Sequence, residues 1–224
     1  MKIELQQEIN VKDILTSGAC FRARVEEDGS ITNILSDRVI NVKQEKNTLY
    51  VKSNNYENLK KIIHEYFDLC RDYNKINQEI LKNNKELKQV INKCKTYRIL
   101  NQEPFEMCIS YIISQNNNVK RISKSIEKIS ELYGKKIIFE NKEYYLFPKY
   151  EDLKNIKKED LSTLKLGFRD KYILDFLEKY ESINNINNFN DQYFTYTNDT
   201  LYRVDPNQVS PFLAIGKGKL KLPN

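Results

Sequence analysis

The hydrophobic period of this chain changes near residue 55, and that change bounds what the chain can fold into. Before it, "FRARVEEDGSITNIL" (residues 21–35) holds two runs suited to strands on either side of Asp28-Gly29, a turn signal. "RVINVKQEKNTLYV" (residues 38–51) repeats the shape, with a polar turn near Glu45–Asn47. A short antiparallel sheet is expected over residues 1–53. After residue 55, Tyr56, Leu59, Ile62, Ile63, Tyr66 and Phe67 recur at helical spacing. Strands first and helices after them make an α+β chain.

The helical part is graded. Residues 73–90, rich in lysine and asparagine, read as weakly helical. "RILNQEPFEMCISYIIS" (residues 98–114) places Pro104 where a first helical turn tolerates it. Its apolar residues then cover all sides, which marks a buried helix. The next helix carries Val119, Ile122, Ile126, Ile129 and Leu132 on one face, and Gly134 ends it. "IIFENKEYYLFP" (residues 137–148) reads as an extended insert. Short helices are expected around Tyr150–Ile156 and Glu159–Leu164, and helical spacing resumes after Gly167 at Tyr172, Ile173, Phe176, Leu177 and Tyr180. Residues 181–224 have no clear period and read as an irregular tail. The implied division is 1–100, 101–180 and 181–224.

Charge narrows the partners. Residues 1–180 carry 33 basic and 27 acidic side chains, and residues 181–224 carry 4 of each. A mildly basic body permits a polyanionic partner. No stretch is long enough to span a membrane, and the N-terminus has no apolar run of the kind a signal peptide needs. Cys20, Cys70, Cys94 and Cys108 are scattered, with no C-x-x-C pair. No metal site or cofactor is expected, and the isolated thiols suit a reducing cytoplasm.

"SQNNNVKRI" (residues 114–122) sits between the buried helix and the basic amphipathic one. Asn117 or Asn118 can cap the second helix. One cap needs one asparagine, so the other two are candidates for contact, and Arg121 projects from the same helix end. "LGFRDKY" (residues 166–172) sets Phe168 and Arg169 at another helix start. Phe168 is either a core residue or an exposed ring able to stack on a base.

"SGACFRAR" (residues 17–24), "RILNQEPFEMCISYIISQNNNVKRI" (residues 98–122) and "LGFRDKY" occur in that order, and together they resemble the 8-oxoguanine DNA glycosylases of the helix–hairpin–helix superfamily. The resemblance covers roughly residues 1–180. It implies an N-terminal antiparallel sheet domain like one half of a TATA-binding protein, followed by an incomplete all-α helix–hairpin–helix glycosylase domain. It implies double-stranded DNA containing oxidised guanine as partner, a monomer, and a cytoplasmic, nucleoid-associated location in a prokaryote. A flipped base leaves a hole and an orphaned partner. By resemblance Asn116, first of the Asn116-Asn117-Asn118 turn, fills the hole, and Arg121 and Arg169 read the orphan cytosine. Phe168 is the wedge, where the family usually has tyrosine. Gly18 offers its carbonyl to the N7 hydrogen that only the oxidised base carries.

The chain departs from the family at Ala19 and Ala23, where the family commonly has Gln and Trp. It also shows no G-V-G-x-K-V-A hairpin or P-V-D-x-H segment after Tyr180, from which the family draws its lysine nucleophile and supporting aspartate. Lys217, Lys219, Lys221 and Asp205 do not match those motifs, so no catalytic residue is assigned. On this reading the C-terminus is truncated or replaced, the apolar faces around Ile109–Ile113 are left partly uncovered, and 8-oxoguanine is not excised. A non-catalytic damaged-DNA-binding protein and a non-functional fragment are the alternatives.

Overall fold

A computed structural model gives the fold. It describes residues 1–184, 193–197 and 200–204, with side chains described through residue 180. In chain order the elements are β1 (Lys2–Glu4), α1 (Val11–Thr16), β2 (Arg24–Val25), β3 (Ile31–Ile34), β4 (Val39–Glu45), β5 (Thr48–Ser53), α2 (Leu59–Tyr66), α3 (Tyr73–Asn83), α4 (Lys88–Cys94), α5 (Pro104–Ser114), α6 (Val119–Tyr133), β6 (Lys136–Phe139), β7 (Lys142–Tyr145), α7 (Tyr150–Leu153), α8 (Lys158–Ser162), α9 (Arg169–Asn184), β8 (Tyr193–Thr197) and β9 (Thr200–Val204).

The first five strands form one antiparallel sheet in the order β1-β5-β4-β3-β2. Both expected turns are present. Gly29 takes φ 78° in the loop joining β2 to β3, where a side chain would be strained. Glu45 pairs with Thr48 across the β4–β5 turn. One element escaped the sequence reading. α1 is six residues long, capped by the Asn10 side chain on the Asp13 amide, and it buries Val11, Ile14 and Leu15 against the sheet. One and a half turns are too short to show a period.

Two main cores result. Ile14, Leu15, Ile40, Leu49, Ile63 and Phe67 anchor the sheet core with α1 and α2. Phe105, Ile109, Ile113, Ile126, Leu161 and Phe176 anchor the helical core. A smaller cluster of Ile34, Val39, Phe139 and Tyr144 joins them, where the β6–β7 hairpin packs on the sheet. That hairpin is the expected extended insert, turned by Glu140 and Asn141 at positive φ.

Four expectations need correction. Ile109, Ile112 and Ile113 are 0 %, 5 % and 0 % exposed, so α5 is covered rather than left open. α6, α9 and the α7–α8 segment supply the cover. Val119 and Leu132 are exposed, because they lie at the two ends of α6 and overhang the core. Gly134 does follow α6, but its φ is not in the left-handed range. A Cβ there would lie 1.9 Å from the Leu146 carbonyl oxygen, so close backbone approach is what requires glycine. The irregular tail is the fourth: α9 runs on to Asn184, and β8 pairs with β9 in antiparallel register from Tyr193↔Val204 to Thr197↔Thr200. Aromatic and β-branched residues crowd these strands, as paired strands favour. The remainder of the expected tail lies outside the described residues.

α3 and α4 bury no residue. The chain passes between them through a single 3₁₀ turn at Lys85–Leu87. Among the described residues, no helix is long and apolar enough to cross a membrane, and no cluster of three His, Cys, Asp or Glu side chains could hold a metal.

Candidate DNA-facing site

Each of the three asparagines in the turn has its own task. Asn116 takes φ 48°, a left-handed conformation that asparagine tolerates better than most side chains. Asn117 donates from Nδ2 to the Ile113 carbonyl at 3.1 Å, closing the end of α5. Asn118 accepts the Arg121 amide at 3.0 Å on its side-chain oxygen and so caps α6. Of the two capping alternatives open in the sequence, Asn118 is the one realised. The side chain of Asn116 is exposed and makes no hydrogen bond among the described residues. Replacing Asn118 by alanine is expected to cost about 1 kcal/mol, the usual value of an N-cap, read as a lower urea midpoint with an unchanged slope.

The α9 start comes to the same place. Gly167, at φ 68°, turns the chain. Phe168 is then 50 % exposed, so the exposed alternative holds. Arg169 does not project as a free cation. It is 8 % exposed, and its guanidinium donates to the carbonyls of Gln115, Asn116 and Leu166. It also lies 4.6 Å from the centre of the Phe168 ring. One buried guanidinium thus fixes the asparagine turn and the wedge to each other. Burial lowers the Arg169 pKa, and the charge of Arg121 nearby lowers it further. Arg121 itself is exposed, with no side-chain partner among the described residues. Two cations converge there without a carboxylate between them, which suits a phosphate or a base edge.

Gly18 lies in a separate loop. It takes φ 89°, and a Cβ would meet nothing within 4 Å, so backbone conformation rather than space calls for glycine. The next carbonyl, that of Ala19, accepts from Gln102 Nε2 at 2.8 Å. The structure therefore brings Asn116, Arg121, Phe168 and Arg169 together, and places Gly18 at the other end of α5.

The comparisons with known proteins agree with this layout. The family model described as "8-oxoguanine DNA glycosylase, N-terminal domain" matches residues 2–108. The chain belongs to the 8-oxoguanine DNA glycosylase family. Its match is to the N-terminal portion. An N-glycosylase/DNA lyase of Saccharomyces cerevisiae is 38 % identical over 84 residues, which is 37 % of this chain and 22 % of that protein. The solved structure of MBOgg1 in complex with a low-affinity DNA ligand superposes with a TM-score of 0.75 at 39 % identity, over 84 % of this chain and 64 % of that one. The Clostridium acetobutylicum 8-oxoguanine glycosylase/lyase, in complex with double-stranded DNA containing cytosine opposite 8-oxoG, gives a TM-score of 0.72 at 34 % identity, over 82 % and 66 %. The chain thus spans less than two thirds of these glycosylase structures, and its sequence match about a fifth of the curated relative.

Within this glycosylase family framework, sequence reasoning missed the buried part of the site. Arg22 of the "SGACFRAR" motif is 3 % exposed, yet it faces Glu106 and Glu127 at 3.7 Å each. The only signal in the sequence was an arginine and two glutamates in segments that otherwise read as core.

Proposed function

We propose that this chain recognises oxidised guanine opposite cytosine in double-stranded DNA and acts in base-excision repair. The observation that carries the reading is the assembly of Asn116, Arg121 and Phe168 at one exposed place, pinned by the buried Arg169. Extruding a base needs a group to fill the gap and donors for the orphaned partner. Asn116 has a free amide on a fixed turn, Phe168 offers a stacking face, and Arg121 is an unpaired fork of donors. Gly18 offers a backbone carbonyl to the damaged base from the opposite end of α5. A carbonyl rewards the N7–H of the oxidised base and is left unpaired against the bare N7 of guanine, a costly outcome in a buried pocket. The same reading makes the protein a cytoplasmic monomer, nucleoid-associated in a prokaryote, that needs no cofactor.

Among the described residues the arrangement binds and positions, and no side chain is assigned as nucleophile. An amine nucleophile needs a lowered pKa. The lysines whose pKa moves, Lys2, Lys52 and Lys136, all move upward, each chiefly because it hydrogen-bonds a glutamate. That observation favours damaged-DNA binding without chemistry as the second reading. Lys217, Lys219, Lys221 and Asp205 lie outside the described residues.

The test is binding by fluorescence anisotropy to duplexes with 8-oxoguanine or guanine opposite each base. Tighter binding to 8-oxoguanine opposite cytosine is expected. Arg121→Ala should cost about 1–3 kcal/mol there, and less opposite other bases, as loss of a bidentate base contact does. Equal binding to all duplexes would refute the reading. Borohydride trapping separates the two forms of it. An adduct abolished by one lysine substitution makes the chain a lyase, whereas preference without an adduct leaves recognition alone.

A further inference from the structure

α5 has a reading turn at each end. Eleven residues at 1.5 Å each make it a rod about 16 Å long. Its C-terminal end carries the Asn116 turn, held by Arg169. Its N-terminal end meets the Gly18 loop, and the contacts there are unusual. Along that loop successive side chains go to different places. Cys20 enters the sheet core. Phe21 packs on the helical core, edge-on to Tyr111 of α5 at 6.5 Å. Arg22 enters a buried cluster of charge. Its Nη2 donates to the Tyr145 carbonyl of β7, its Nη1 lies 3.7 Å from Glu106 of α5, and its Nε lies 3.7 Å from Glu127 of α6. Arg24 Nη2 reaches the same Glu127 oxygen at 3.2 Å.

We propose that Arg22 is a positioning residue: with Glu106 and Glu127 it fastens the Gly18 loop to α5 and α6, so that α5 sets the spacing between the loop and the Asn116 turn. The proposal rests on the reading above, in which both turns contact DNA.

Two features argue that the cluster holds orientation rather than adding bulk stability. Arg22 Nε and Nη1 and Glu127 Oε1 are buried without a hydrogen bond among the described residues, so the cluster is only partly satisfied. Such a group costs desolvation that an apolar trio would not. Beside it lies a cavity of about 280 Å³, lined among others by Phe21, Arg22, Gln102, Glu103 and Glu106. Tight packing does not fix the loop against α5, so the charges and the Gln102–Ala19 hydrogen bond must.

Glu106 makes the fastening sensitive to pH. Burial raises its carboxyl to about 7, with Arg22 opposing and Glu103 and Glu127 adding to the rise. Tyr66 of α2 and Cys20 of the loop also face it. Above about 7 Arg22 has two carboxylates, and below it only Glu127. The loop should therefore be held more firmly as pH rises through 7. Global stability responds with the opposite sign. The folded pKa lies above the unfolded one, so this group's contribution is full below the unfolded value and is lost as pH rises through 7.

The experiment pairs DNA binding with amide hydrogen exchange, from pH 6 to 8.5, on the full chain and on Arg22→Met, Glu106→Gln and Gln102→Ala. In Arg22→Met the preference for 8-oxoguanine over guanine should fall about tenfold while affinity for undamaged duplex stays within about twofold. Exchange at residues 18–20 should quicken about tenfold, with residues 116–121 unchanged. Gln102→Ala should do the same to a lesser degree, which keeps the test alive if Arg22→Met does not fold. Glu106→Gln should remove the pH dependence of exchange at residues 18–20. Unaltered exchange there in both loop variants would overturn the proposal, and so would equal losses on damaged and undamaged duplexes. If the unaltered chain shows no preference, the functional reading fails, and the exchange data still decide whether Arg22 holds the loop.

Discussion

Replacing Phe105 by alanine is expected to lower stability by about 4 kcal/mol, the range of a buried phenylalanine removed from a core that cannot collapse around the gap. Phe105 is 3 % exposed in the second residue of α5. Its ring meets four others: Phe147 at 6.3 Å, Tyr150 at 6.1 Å, Phe176 at 5.8 Å and Tyr180 at 4.8 Å. These come from the segment after β7, from α7 and from α9, so one side chain ties three parts of the helical core to α5. Edge-on aromatic pairs add to the burial they accompany. Stiff rings on three elements cannot all move inward, and the cavity stays. Urea unfolding followed by circular dichroism would measure the loss. A change below about 1 kcal/mol would mean that the helical core closes around the gap, against the packing described here.

The second large effect is expected at Arg169. Removing its guanidinium strands the carbonyls of Gln115, Asn116 and Leu166, each now paired with it. Hydrogen bonds from a charged donor are the stronger kind, and stranded buried acceptors carry their own penalty, so Arg169→Ala should cost about 3 kcal/mol. Arg169→Lys should restore little, because one ammonium on a flexible stem cannot reproduce a planar fork that reaches three carbonyls. DNA binding should fall in both variants even where the fold survives, since the Asn116 turn loses its tether. Calorimetric unfolding and anisotropy on the same samples separate the two effects. A stable Arg169→Lys chain with undiminished binding would show that the turn holds itself.

How far the sequence could be read depended on where each signal lay. The change of period at residue 55 separated the sheet from the helices, because alternation and helical spacing are properties of many residues at once. α5 declared its burial by being apolar on all sides, and the structure has only Pro104 of that helix exposed. The caps were legible too, as polar residues at helix ends. Arg169 was not. An arginine after a glycine and an aromatic reads as a surface charge, and only the fold brings three backbone carbonyls around it. Arg22 was hidden for the same reason, its partners lying some 80 to 120 residues away along the chain. The β8–β9 hairpin could have been found from "YFTYT" and "TLYRV", but the asparagine-rich stretch before it weighed toward disorder.

The row of three asparagines has a consequence for the genetics of such a chain. Because the letters are identical, losing any one of the three codons yields the same protein, with two asparagines between Gln115 and Val119. Only two of the three tasks can then be kept: the left-handed corner, the lid on α5 and the lid on α6. Whichever is dropped, α6 starts one residue nearer to α5, and Arg121 swings with it by roughly 100° about the helix axis. A run that looks like replication slippage waiting to happen is thus a place where slippage of one codon cannot be silent.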